Sequence, residues 1–268
     1  MSLLRDRGAS VLCCMLWSCS AVAQFNPDEM MKPYAYTNEL GEVLTCQLRA
    51  PTFPEKGKTY PLILFLHGSG ECGKDNERQT HVGLPALLRQ LVLLPEQVMV
   101  LAPQCQTGNW WVKKLAMQPD YHAVKAPTAA LDVALELCRH LVQTKQADPN
   151  RLYITGLSLG GFGTWDAIQR DPSFFAAAVP ICGGGDTNYA RALKAMPLWV
   201  FHGRDDKTVS PDCSRRMVRA IDSVGGKVIY TEYEQGAHAI WDMAYSDKNL
   251  IPWLLQQTRV KKPWWKFW

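Results

Sequence analysis

The sequence predicts an α/β fold, a single domain built on a mostly parallel sheet with helices on both faces. Three observations predict it. Short apolar runs recur without the alternation of a half-solvated strand, Leu62-Ile63-Leu64-Phe65-Leu66 being the clearest; such runs suit strands buried on both faces. Segments with helical periodicity separate these runs, and strands alternating with helices mark a parallel sheet. The chain has 268 residues, of which 47% are hydrophobic and 20% charged. That composition is globular and excludes long disorder and collagen-like repeats, and neither an internal repeat nor an interdomain linker interrupts it.

The elements follow in chain order. Tyr34 to Asn38 and Val43 to Arg49 read as a hairpin around Asn38-Glu39-Leu40-Gly41. Pro51 to Thr59 is a surface loop. The run Leu62 to Leu66 is the first buried strand; Val98 to Ala102, Leu152 to Thr155, Ala176 to Ile181, Leu198 to His202 and Val228 to Thr231 have the same character. Helices are expected at Leu84 to Leu94 and at Thr128 to Lys145, where Ala130, Val133, Ala134, Leu137, Cys138 and Leu141 share one side. Leu159 to Arg170 stops before Asp171-Pro172. Pro211 to Val224 ends at Gly225-Gly226, and Asn249 to Gln257 is the last helix. Gln104 to Ala126 has no clear period and carries Trp110-Trp111, as a functional loop does.

The formal net charge of +4 is not gathered into a basic stripe, so no nucleic-acid partner is expected. Arg5 and Arg7, the apolar stretch Ala9 to Trp17 and the small residues Ala21-Val22-Ala23 have the layout of a secretory signal peptide cleaved after Ala23. Residues 1–23 are thus the expected leader, 24–268 the domain, and the periplasm or exterior the expected location. A lipid anchor at Cys19 is disfavoured by the bulk of Trp17. Six cysteines follow the leader, Cys46, Cys72, Cys105, Cys138, Cys182 and Cys213, none with Cys-x-x-Cys spacing. Cys138 belongs to an apolar helical stripe. Cys72 and Cys105 follow the strands Leu62 to Leu66 and Val98 to Ala102 and are expected to pair. The histidines lack metal-ligand spacing, so neither metal nor other cofactor is expected. The tail Lys261-Lys262-Pro263-Trp264-Trp265-Lys266-Phe267-Trp268 is basic and aromatic; Pro263 makes it a poor membrane helix, and packing on the domain or plain disorder is the better reading.

Gly156-Leu157-Ser158-Leu159-Gly160 matches G-x-S-x-G, between an apolar strand and a helix. In that setting a sharp turn lifts the serine hydroxyl clear of the sheet edge. A serine needs a base, and this architecture orders serine, acid, histidine along the chain. Only His202 and His238 follow Ser158. His202 closes a strand, whereas His238 lies in the loop after the last one, where the base belongs. Asp205 and Asp206 both follow the preceding strand and both qualify as the acid, with Asp212 a distant third. The N–H of Leu159 is one candidate oxyanion donor, and that of Ser69, in the glycine-rich loop His67 to Glu71, is the other. Trp110, Trp111 and Trp241 could wall an aromatic or sugar-bearing substrate pocket, and each could equally pack in the core.

These blocks resemble the α/β-hydrolase superfamily over nearly the whole mature chain, in particular secreted bacterial esterases of the dienelactone-hydrolase, polyhydroxybutyrate-depolymerase and "predicted peptidase" groups. His67 to Asn76 is similar to their HGxGERGxDN loop, with Cys72 where arginine is common. Arg151 to Trp165 resembles their nucleophile block. His202-Gly203-Arg204-Asp205-Asp206-Lys207-Thr208-Val209 resembles HGxxDxxV, which selects Asp206 over Asp205. His238 to Asp242 followed by Tyr245 resembles their histidine block. The resemblance implies an α/β-hydrolase fold of about eight strands with an N-terminal antiparallel hairpin. It also implies ester hydrolysis by Ser158, His238 and Asp206, on a small or polysaccharide-linked ester. Peptide cleavage by the same residues and a binding module without catalysis are the alternatives, and the full set of residue types counts against the last.

Overall fold

The structure, a computed structural model, describes residues 30–113, 122 and 126–259. The expected leader, the centre of the irregular loop and the aromatic tail lie outside the described residues. Eight strands form one sheet: β1 (Lys32–Thr37), β2 (Val43–Arg49), β3 (Tyr60–Leu66), β4 (Met99–Pro103), β5 (Ala147–Leu157), β6 (Ala177–Ile181), β7 (Leu198–Gly203) and β8 (Val228–Tyr233). Their spatial order is β1-β2-β4-β3-β5-β6-β7-β8. β1 pairs antiparallel with β2, and β2 antiparallel with β4; every pairing from β4 to β8 is parallel. At the hairpin turn the Asn38 side chain accepts the N–H groups of Leu40 and Glu42.

Among the described residues six helices cover the sheet: α1 (Leu84–Val92), α2 (Ala129–Gln143), α3 (Leu159–Arg170), α4 (Asp212–Ser223), α5 (Trp241–Tyr245) and α6 (Leu250–Gln256). The unbroken apolar runs are explained by two cores, one on each face. Leu62, Leu64, Leu66, Leu152, Ile154 and Val200 point to the core shared with α2, α3 and α4. Ile63, Phe65, Tyr153, Val179, Trp199 and Phe201 point to the one shared with α1, α5 and α6. Successive side chains of a strand face opposite sides, so a central strand with helices on both faces must be apolar at every position.

Two features depart from the sequence reading. β5 begins at Ala147, five residues before the expected strand, with Ala147 paired to Tyr60 through an irregular register. Asp148-Pro149-Asn150-Arg151 carries loop-like residue types, yet its backbone is extended. The single turn of α5 was not expected because five residues show no period. Among the described residues no helix is long and apolar enough to cross a membrane.

Candidate active site

The parallel strands end together, and the loops leaving β3, β5, β7 and β8 carry the polar groups of the site. Ser158 stands between β5 and α3 at φ 53, ψ −115, a left-handed backbone unusual for a residue with a side chain. Its N–H is held by the carbonyl of Ile181 at 2.9 Å. The turn is possible because α3 packs backbone-to-backbone against the end of β3: a Cβ on Gly160 would lie 1.9 Å from the carbonyl oxygen of Leu66. Cys182 (φ 49) and Ala237 (φ 50) sit next to the same groups with left-handed backbone. Three such residues around one cluster is the local strain expected where geometry serves a site rather than stability.

The structure brings Ser158, His238 and Asp206 together. His238 Nε2 lies 2.9 Å from Ser158 Oγ, and its Nδ1 lies 2.6 Å from Asp206 Oδ2. A carboxylate only accepts, so the Nδ1 contact fixes the proton there and leaves Nε2 to accept from the serine hydroxyl. Asp206 Oδ1 accepts the N–H groups of Thr208 and Val209 at 2.8 and 2.9 Å. Burial pushes the Asp206 carboxyl up, but hydrogen bonds from His202, His238 and Val209 outweigh it and hold it well below the usual range. Asp206 is therefore an anion at neutral pH, whereas Asp205 is exposed.

Leu159 opens α3 and Ser69 opens a 3₁₀ turn, Ser69–Glu71. The first N–H groups of a helical turn have no acceptor within it, so both remain available to an incoming oxyanion. The loop carrying Ser69 is anchored from below. His67 is fully buried. Its Nδ1 lies 2.6 Å from the Gly68 carbonyl and its Nε2 accepts the Cys105 N–H at 3.1 Å. Burial lowers its pKa to about 4, so the ring is neutral. Gln104 Nε2 donates to the Glu71 carbonyl at 3.0 Å, and the Gly73 N–H donates to the Cys105 carbonyl at 3.0 Å. Burial raises the Glu71 carboxyl, and the neighbouring Gly68 backbone partly offsets that rise. Cys72 and Cys105 Sγ are 3.3 Å apart as free thiols, so the pair expected from the sequence is in contact and unbonded here.

The three tryptophans separate. Trp241 is half-buried and lies edge-on to His238, ring centroids 5.6 Å apart. Trp111 does not wall a pocket: it is fully buried, its indole N–H donates to the His67 carbonyl at 2.9 Å, and it packs on Gly163 of α3. Trp110 lines a hollow of about 330 Å³ with Gly108, Asn109, Val112, Lys113 and Thr128, a lining that includes none of the three polar residues. Sequence reasoning treated His202 as a plain strand-end residue and missed that its Nε2 lies 3.3 Å from Asp206 Oδ2; the His-x-x-x-Asp spacing at a strand end was the available signal. Among the described residues two clusters have donor atoms close enough for a metal ion, His67–Cys72–Cys105 and Cys182–His202–Asp206. Their nitrogen, oxygen and sulfur atoms are already engaged in the protein contacts described, Cys182 Sγ with the His238 carbonyl at 3.4 Å.

The prolyl oligopeptidase family matches residues 128–192, which hold α2, β5, Ser158 and α3. A poly(3-hydroxyalkanoate) depolymerase C of Paucimonas lemoignei is 28% identical over 124 residues, 46% of this chain and 28% of the depolymerase. A bifunctional acetylxylan esterase/xylanase of Neocallimastix patriciarum is 22% identical over 152 residues, 56% of this chain and 20% of that protein. The chain thus spans less than a third of either curated relative. Among solved structures, a thermostable esterase superposes with a TM-score of 0.77 at 37% identity, covering 86% of this chain and 64% of the esterase.

Proposed function

We propose that this chain, a member of the α/β-hydrolase superfamily, is an exported serine hydrolase that cleaves carboxylic esters. One observation carries the reading: a serine at a strained strand–helix turn, hydrogen-bonded through one histidine to a buried carboxylate, with contacts of 2.9 and 2.6 Å. Serine, imidazole and carboxylate in that relation are the working parts of acyl transfer.

The steps follow from the geometry. His238 Nε2 takes the Ser158 proton as Oγ attacks the ester carbonyl. The Leu159 and Ser69 N–H groups, each at the opening of a helical turn, would receive the oxyanion; a donor of this kind is typically worth about 3 kcal/mol of transition-state stabilisation. Asp206 keeps the proton of His238 on Nδ1 and stabilises the imidazolium. As the tetrahedral species collapses, the alcohol leaves with the proton from Nε2 and the acyl group stays on Ser158. Water then gives a proton to His238 and attacks the acyl carbonyl, and Ser158 departs protonated. Trp241, beside His238, borders the space where the acyl or alcohol group would lie.

The names of the relatives support an ester, whether of an acylated polysaccharide or a hydroxyalkanoate. The prolyl oligopeptidase match to residues 128–192 favours a second reading, a serine peptidase using the same residues. Export rests on the arginine–apolar–small pattern of residues 5–23. A panel of p-nitrophenyl esters, hydroxycinnamoyl esters and a peptide p-nitroanilide, assayed on the protein beginning at Gln24, tests the reading. The account expects turnover of esters with kcat/KM at least 100-fold above the anilide; the reverse ranking would replace the esterase by the peptidase.

A further inference from the structure

His202 is fully buried at the end of β7, and each nitrogen of its ring faces a partner. Nε2 lies 3.0 Å from the Val209 carbonyl oxygen and 3.3 Å from Asp206 Oδ2. Both partners only accept, so Nε2 must carry a proton. Nδ1 lies 2.8 Å from Ser214 Oγ, which in turn is 2.8 Å from the Gly183 carbonyl. The ring is therefore held by Ser214 on one side and places its Nε2–H between the Val209 carbonyl and the acid on the other. The effect on Asp206 is double. Nε2 stands 3.3 Å from Oδ2, the oxygen that also holds His238, and its hydrogen bond is to the carbonyl of Val209 at 3.0 Å, whose own N–H holds Oδ1 at 2.9 Å.

We propose that His202 is a positioning residue for Asp206: its Nε2–H orients the carboxylate and withdraws charge from it, and so tempers how strongly Asp206 stabilises protonated His238. The inference rests on the Ser158–His238–Asp206 reading above. A carboxylate stripped of this donor is more basic and holds the imidazolium of His238 more tightly. His238 then remains protonated, and unable to accept from Ser158, up to a higher pH. The other groups facing the cluster do not carry charge that could mimic this. Cys182, after β6, and Cys213, on α4, are thiols raised by burial. Asp205 is exposed in the same turn, and Arg204 turns away to Glu232 and Glu234.

The test is the pH dependence of fluorophosphonate labelling of Ser158 in wild type, His202→Gln and His202→Asn, with KM and kcat for a p-nitrophenyl ester measured alongside. A glutamine amide N–H occupies roughly the place of Nε2, and an asparagine amide the place of Nδ1. His202→Gln is expected to keep the wild-type acidic limb. His202→Asn is expected to move that limb up by roughly one pH unit and to lower kcat with KM unchanged. Limbs that stay in place in both variants, or move equally in both, would overturn the proposal and leave His202 a packing residue. A second measurement needs no variant: ¹⁵N-histidine spectra of the wild type should show His202 protonated on Nε2 at neutral pH, and a proton on Nδ1 alone would overturn it. A wild type that folds and does not label would instead overturn the function proposed above, a result distinct from a limb that does not move.

Discussion

Gly203→Ala isolates position from chemistry, because it adds one methyl group and touches no reacting atom. Gly203 ends β7, paired with Tyr233 of β8. A Cβ there would lie 1.9 Å from the carbonyl oxygen of Ala237, against a floor of 3.0 Å for real contacts. One side must retreat by about 1 Å. β7 is held by strands on both sides, so the loop carrying Ala237 gives way, and His238 is the next residue. Its contacts of 2.9 Å to Ser158 and 2.6 Å to Asp206 have no slack for such a shift. A misplacement of about 1 Å costs roughly 10²-fold in rate, equivalent to about 2.7 kcal/mol of barrier. The assay is kcat for a p-nitrophenyl ester beside a thermal melt. The expected result is a kcat lowered by roughly 10²-fold with the melting midpoint lowered by only a few degrees. A variant with wild-type kcat would refute the claim that the β7–loop contact sets the base, and a variant that unfolds outright would refute the claim that the loop yields.

Three further outcomes are expected. Asp206→Asn should lower kcat by roughly 10⁴-fold, whereas Asp205→Asn should change it little; steady-state kinetics with the opposite ranking would move the acid to Asp205. His67 is neutral in the fold with its pKa lowered to about 4. The unfolded chain takes up a proton on it below about 6.5, so stability should fall as pH drops from about 6.5 to about 4, by roughly 3 kcal/mol in all, and no further below that. Urea melts across this window should show the loss, and His67→Gln should flatten it; an equal loss in the variant would assign the slope to other groups. Cys72 and Cys105, 3.3 Å apart, should join when the folded protein is equilibrated with oxidised glutathione, each losing its thiol proton as one glutathione disulfide is reduced to two glutathione thiols. The Cys105 hydrogen bond lowers the Cys72 thiol, which makes Cys72 the attacking sulfur. Peptide mapping should find a Cys72–Cys105 cross-link, and free thiols at both positions would exclude it.

The fold was legible because its strongest signals are local. Leu62 to Leu66 is apolar at every position since both faces are covered, and α2 shows its buried stripe in the period of Ala130, Val133, Ala134 and Leu137. What escaped was decided by tertiary context. Asp148 to Arg151 is extended because β5 is pinned to β3 on either side of it, Ala147 to Tyr60 and Leu152 to Leu62, not because its residues prefer strands. The candidate site was legible through glycine spacing and chain order, as Gly156, Gly160 and Gly203 mark close backbone contacts that nothing larger could make. Burial was not: Trp110 and Trp111 are neighbours of one residue type, yet Trp111 anchors His67 from inside the core while Trp110 lines a separate hollow. The contact of His202 with Asp206 likewise depends on how the turn after β7 folds back on the strand.

The central claim is that Ser158 is an activated nucleophile, and mass spectrometry of the protein after brief exposure to a fluorophosphonate at neutral pH tests it directly. The account predicts one phosphonyl adduct per chain, mapped to the peptide containing Ser158 and missing from Ser158→Ala with an unchanged thermal midpoint. A folded wild type that gains no adduct, or gains it on another residue, would contradict the account.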